Sequence, residues 1–124
     1  YQRLIDMNPS PANKLELCLG SLQEMQGGDI YQAVESYARQ GRISYVHFRN
    51  VKGKVPCYDE VFIDEGDVDM LRMLAILEKE HFDGVLVPDH TPYMVGDAPW
   101  HTGMAFALGY MRAAFTLLDQ GRLG

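Results

Sequence analysis

Three short stretches of this chain carry chemically capable side chains at the ends of apolar runs. They are Cys18 in LELCLGS, His47, Arg49 and Asn50 in ISYVHFRNVKG, and Asp89 and His90 in GVLVPDH. A cysteine sulfur, an imidazole nitrogen and a carboxylate oxygen are each ordinary ligands for a divalent transition metal. None of the three stretches has the local spacing of an HExxH or paired CxxC motif. The chemistry therefore depends on whether the fold brings them to one point.

The elements around them suggest that it does. Leu15 to Leu19 alternates apolar and polar residues and reads as a strand, Ile43 to Asn50 as a second, and GVLVPDH as a third. Between them lie helix signals. Asp29 stands as an N-cap before Ile30, Ala33, Val34 and Tyr37 at helical spacing, with Gly41 as terminator. Asp67 or Asp69 caps a second helix with a Val68, Leu71, Leu74 and Leu77 stripe, ended by Gly84. The segment from Val51 to Gly66, with Pro56, reads as an irregular insertion, and a last helix runs from about Thr102 to Asp119. Strand–helix alternation with long crossovers predicts an α/β fold with a parallel sheet, in which functional residues collect at the carboxyl ends of the strands. No GxGxxG or P-loop sequence follows any strand, which weakens a nucleotide-binding version.

Side chains alternate along a strand, so parity decides which of them meet. Leu15, Leu17 and Leu19 share one face and leave Glu16 and Cys18 on the other; Val46 and Phe48 share one and leave Tyr45, His47 and Arg49 opposite. Val85, Val87 and Asp89 share the third strand's parity. With the apolar faces packed on helices, Cys18, His47 and Asp89 point into one interior at the same end of the sheet. Taken singly, each has a plainer reading: Cys18 as a small buried hydrophobe, His47 as a hydrogen-bonded strand-end residue, Asp89 and His90 as a turn or cap. Cys57 reads as incidental, His81 as a helix-end or surface residue, and Met70, Met73, Met104 and Met111 as core filler. The acidic stretch from Asp64 to Asp69 reads as a solvated loop feeding an N-cap.

Composition narrows the class. The 124 residues are 47% apolar and 23% charged, which fits a soluble globular protein, and the net charge of -6 with no extended basic cluster argues against nucleic-acid partners. The stretch from His101 to Leu118 holds one formal charge, Arg112, but Gly103 and Gly109 interrupt it, so it reads as a buried amphipathic helix and not a membrane span. Cys18 and Cys57 form no CxxC pair and no secretory signal precedes them, which points to a reducing cytoplasm, and a disulfide between them has no support in the sequence. The opening YQRLIDMNPSPAN resembles the tail of a helix, and residues 1–124 are expected to form part of a larger domain.

The segments LCLGS, YVHFRNV, DEGDVDM and PDH, in this order and spacing, resemble the C-terminal part of mannonate dehydratases. The resemblance implies a partial (β/α)8 TIM barrel of the xylose-isomerase-like group, with about three βα units of the C-terminal half present here as one incomplete domain. It implies a Mn²⁺ or Fe²⁺ site in which Cys18, His47 and Asp89 are ligands and a fourth, a histidine, lies upstream of Tyr1. Softness alone suits Zn²⁺. The implied reaction is dehydration of D-mannonate to 2-keto-3-deoxy-D-gluconate, a lyase activity on a small-molecule sugar acid, with His90 as one acid/base group, Arg49 holding the substrate carboxylate and Asn50 a hydroxyl. Homo-oligomerisation of a full-length protein stays open. The family's arginine before PDH is Val87 here, the glycine after it is Thr91, and its loop tyrosine has no clear counterpart in APWHTGMA, with Tyr93 and His101 the nearest candidates. An isomerase or epimerase of the same barrel group, and a noncatalytic sugar-acid-binding relative, are the alternatives.

Overall fold

A computed structural model describes residues 1–123. A first helix, α1 (Gln2–Met7), leads through the Asn/Pro/Ser loop to β1 (Leu15–Cys18), whose alternation buries Leu15 and Leu17 and leaves Glu16 exposed. Cys18 then ends the strand and begins a short helix, α2 (Leu19–Gln23), by accepting a hydrogen bond from the Ser21 N–H at 3.5 Å. So short a helix leaves no periodic signal, and the expected strand stops one residue early as a result.

Helix α3 (Ile30–Arg39) starts where expected. The Asp29 carboxylate accepts from the N–H groups of Tyr31 at 2.8 Å and Gln32 at 3.1 Å, satisfying donors that have no partner inside the first turn. Ile30, Val34 and Ala38 form its buried stripe, and Gly41 at φ 64° closes it in the left-handed conformation glycine tolerates. Strand β2 (Ile43–His47) pairs with β1 in parallel register, Cys18 opposite His47.

The predicted irregular insertion is instead partly a β-hairpin. Strands β3 (Val51–Lys54) and β4 (Cys57–Glu60) pair antiparallel, with Val51 opposite Glu60. The expected strand from Ile43 to Asn50 therefore ends at His47, because residues 48–50 turn the chain out of the parallel ladder after the Phe48 N–H has bonded to the Val87 carbonyl at 2.6 Å.

Helix α4 (Met70–Lys79) is capped by Asp69, whose carboxylate accepts from the Arg72 N–H at 3.0 Å. Its buried residues are Met70, Met73, Leu74 and Leu77; Leu71, expected in the stripe, is exposed. It ends before Gly84, with His81 in the left-handed region at φ 55°. Across α3 and α4, Arg39 binds Glu80 with two nitrogens at 3.0 and 3.2 Å, and Lys79 binds Glu35 at 2.6 Å. Strand β5 (Val85–Val87) adds to the far side of β2, completing a parallel three-stranded sheet in the order β1-β2-β5.

Helix α5 (His101–Asp119) buries only the face carrying Gly103, Ala107, Met111 and Ala114; Phe106, Leu108 and Phe115 are exposed. The expectation of a buried helix thus holds for one face alone. No helix among the described residues is long and apolar enough to cross a membrane. The core lies between one face of the sheet and α3, α4 and α5, with Leu17, Val46 and Phe48 fully buried. The opposite sheet face carries Glu16, Cys18, Tyr45 and His47 beside Val85 and Val87, and the polar residues gather at the carboxyl ends of β1, β2 and β5.

Candidate metal centre

The parallel register aligns the polar parity of all three strands. Glu16 lies opposite Tyr45, Cys18 opposite His47, and His47 opposite Val87, two residues before Asp89. Asp89 lies beyond the ladder, and its φ of 64° places it in the left-handed region, where aspartate is tolerated better than most residues. The result is one cluster: a ligand atom from each of Cys18, His47 and Asp89, all within 4.8 Å of one another. This is the set that parity had joined.

The donor set fits a divalent first-row metal. Sulfur and imidazole nitrogen come from the paired ends of β1 and β2, and the carboxylate oxygen joins them from two residues beyond β5. The His47 ring is aligned from both sides: Nδ1 lies 3.3 Å from Asp89 Oδ2, and Nε2 lies 3.2 Å from Glu16 Oε1. Glu16 is shared with Tyr45, whose phenol is held above its ordinary pKa first by the hydrogen bond to Glu16 and then by burial.

Arg49 lies beneath the cluster, only 8% exposed. Its Nη1 donates to Glu60 Oε1 at 3.0 Å and its Nη2 to Ser21 Oγ at 3.4 Å. Nε lies 3.2 Å from Asp89 Oδ2 but off the N–H direction, an ion pair without a hydrogen bond. Burial works against its charge, yet the neighbouring Cys18 and Glu60 outweigh it and hold the guanidinium above its ordinary pKa. The guanidinium reaches this position because residue 20 is glycine: a Cβ there would strike Arg49 Nη1, Cζ and Nε. Its fork is turned to protein partners and leaves little surface, where the resemblance implies a hold on a substrate carboxylate.

Asn50 is also differently employed. It is 2% exposed, and its amide donates to the Ile63 and Val68 carbonyls, both at 2.9 Å, while its oxygen accepts from the Val51 N–H at 3.0 Å and the Val68 N–H at 3.1 Å. Both amide protons and both oxygen lone pairs are used, so no capacity remains for a substrate hydroxyl. Gly66 permits this approach, since a Cβ there would collide with the Asn50 side chain.

His90, half-exposed, contacts Glu60 Oε2 through Nδ1 and has Nε2 3.3 Å from Asp89 Oδ2. Glu60, in the stretch read as irregular, had no sequence signal of its own; recognising the hairpin would have placed it. Tyr93 lines an open groove with Glu60, His90, Thr91 and Pro92. His101 instead packs edge-on against Trp100 at 4.6 Å at the start of α5. Cys57 is exposed and, like Cys18, a free thiol.

Comparison with known proteins bears on this arrangement. The family model described as D-mannonate dehydratase (UxuA) matches residues 1–120. The chain belongs to the D-mannonate dehydratase family. It is 31% identical over 93 residues to a mannonate dehydratase of Lactococcus lactis subsp. cremoris (strain MG1363), covering 71% of this chain and 26% of that protein. It is 31% identical over 99 residues to mannonate dehydratase 2 of Halalkalibacterium halodurans, covering 77% of this chain and 29% of that protein. The chain therefore spans less than a third of the length of these mannonate dehydratases. A solved mannonate dehydratase from Streptococcus suis serotype 2 shares its fold, with a TM-score of 0.81 at 22% identity, over 98% of this chain and 37% of that one.

Proposed function

We propose that the protein is a metal-dependent hydro-lyase that converts D-mannonate to 2-keto-3-deoxy-D-gluconate and water, and that this chain forms successive βα units in the C-terminal half of a (β/α)8 barrel. Membership of the D-mannonate dehydratase family supports the reaction class. The observation that carries the metal site is the convergence of Cys18, His47 and Asp89 within 4.8 Å. In a barrel, active sites occupy this carboxyl-terminal face of the strands.

The reaction removes the proton at C2 and the hydroxyl at C3, and the resulting enol becomes the 2-keto acid. Both departures are difficult: the C2 proton beside a carboxylate is weakly acidic, and hydroxide is a poor leaving group. Cys18, His47 and Asp89 would hold a divalent Mn²⁺ or Fe²⁺, which would supply a Lewis acid for the charge that builds on the carboxylate side as C2 loses its proton. His90, beside Asp89 at the edge of the groove, serves as one of the two acid/base groups, taking the C2 proton or protonating the departing C3 hydroxyl so that it leaves as water. Arg49 serves the site from within, keeping Asp89 and Glu60 in place, while Asn50 holds the loop around residues 63–68.

The test is to strip the purified protein of metal, reload it with Mn²⁺ or Fe²⁺, add D-mannonate and follow the 2-keto-3-deoxy acid. Product that appears only on reloading is the expected result. Stoichiometric metal binding without product removes D-mannonate as substrate, and product of unchanged mass marks an isomerase.

A further inference from the structure

We infer that Glu60 is a positioning residue: its carboxylate, held between Arg49 and His90, fixes the His90 ring so that Nε2 faces the Cys18, His47 and Asp89 cluster. The inference rests on the proposed function for the role of His90, and on the geometry for the role of Glu60. One oxygen, Oε1, accepts from Arg49 Nη1 at 3.0 Å; the other, Oε2, meets His90 Nδ1, and the far nitrogen of the same ring lies 3.3 Å from Asp89 Oδ2. Arg49 Nη1 donates to one oxygen of Glu60 and His90 Nδ1 forms an ion pair with the other, so the group between them must offer an oxygen in each of two opposite directions. A carboxylate has an oxygen for each side; an amide has one oxygen and, on the other side, an NH₂ donor.

The ring needs such a hold. His90 is exposed and precedes a segment, residues 91–100, without regular structure, so no backbone ladder fixes it. A carboxylate bonded to one imidazole nitrogen sets both the tautomer and the direction of the other nitrogen. Arg49, buried beneath, keeps Glu60 from rotating away.

The hairpin itself supports this reading. Strand β4 contributes nothing to the core: Cys57, Tyr58 and Asp59 are exposed, and only Glu60 is partly covered. Yet the hairpin is fastened at several points. The Val55 N–H donates to the Glu24 carbonyl at 2.8 Å, Gln26 Nε2 to the Val55 carbonyl at 3.0 Å, and the Gly53 N–H to Asp67 Oδ2 at 2.8 Å. Apart from Val51 in β3, which is fully buried, the hairpin buries little, and its firm tethering is accounted for by what it carries to the site, Glu60 being the residue that meets Arg49 and His90.

The experiment compares wild type, Glu60→Gln, Glu60→Asp, His90→Ala and the Glu60→Gln/His90→Ala double variant, all metal-loaded. Glu60→Gln is expected to lower kcat on D-mannonate about tenfold, part of the ~10²–10⁴ an acid/base group supplies, with KM within about twofold and metal stoichiometry unchanged. Glu60→Asp, which keeps two acceptors, recovers part of the loss. In the His90→Ala background Glu60→Gln adds nothing further, because a residue acting through another is not additive with it. Additive losses overturn the inference. The second readout is the ¹⁵N signals of the His90 ring in Zn²⁺-loaded protein: one Nδ1–H tautomer in wild type, giving way to a mixture in Glu60→Gln. An unchanged tautomer overturns the positioning role even if wild type does not dehydrate D-mannonate, an outcome that would count against the proposed function alone.

Discussion

Asp89 Oδ2 is approached by three nitrogens at once: His47 Nδ1 at 3.3 Å, His90 Nε2 at 3.3 Å and Arg49 Nε at 3.2 Å. Its left-handed backbone turns the carboxylate back over the strand ends, a conformation that costs free energy and persists where the surroundings impose it. His47 depends on a second carboxylate, Glu16, which takes Nε2 and thereby leaves Nδ1 for the cluster. Partners of this kind typically contribute ~10–100-fold to metal affinity. Glu16 is half-exposed, so Glu16→Gln is expected at the lower end, weakening Mn²⁺ binding about tenfold in competition with a chromogenic chelator; an unchanged dissociation constant would remove Glu16 from the site. Parity alone had brought Cys18, His47 and Asp89 together, because a period of two is readable in any strand. The protein partners of Arg49 and Asn50 were not legible, because a guanidinium or an amide suits a substrate and a backbone equally well, and only the neighbours decide. Glu60 escaped notice for the opposite reason, lying in a segment with no periodicity to say which way it points.

At the level of elements, the hairpin and the residue 63–68 loop depend on Asn50, which joins β3 to the start of α4 through four hydrogen bonds in a fully buried setting. Truncation leaves two carbonyls and two N–H groups without their partner. At roughly 1–3 kcal/mol for each buried group left unsatisfied, and allowing for partial relaxation, Asn50→Ala is expected to cost about 3 kcal/mol in urea unfolding. Asn50→Asp should be no milder, since a carboxylate cannot donate to the Ile63 and Val68 carbonyls. A loss under about 1 kcal/mol would mean that water or backbone movement replaces the network. The capped helices α3 and α4 were legible because Asp29 and Asp69 announce themselves by type and position. The short α2 and the hairpin were not: α2 is set by a cysteine acting as N-cap, and the hairpin by long-range tethers to Glu24 and Asp67 that leave no local pattern.

Over the whole molecule, the sheet is the least self-sufficient part. Its order is β1-β2-β5, so β1 and β5 are both edges, and each presents unpaired backbone groups along one side. Val85 on the β5 edge is 62% exposed, and Phe106, Leu108 and Phe115 of α5 add apolar surface. In the proposed barrel these edges would pair with neighbouring strands and the α5 face would meet the next helix, which closure of a sheet on itself requires. The 124-residue chain expressed alone lacks those partners. It is therefore expected to self-associate at micromolar concentration, as exposed strand edges and apolar surface drive in incomplete folds. Sedimentation velocity across a concentration series reads this directly. A monodisperse monomer with a cooperative thermal transition would show that the open edges are tolerated, and that α3, α4 and α5 stabilise three strands without closure.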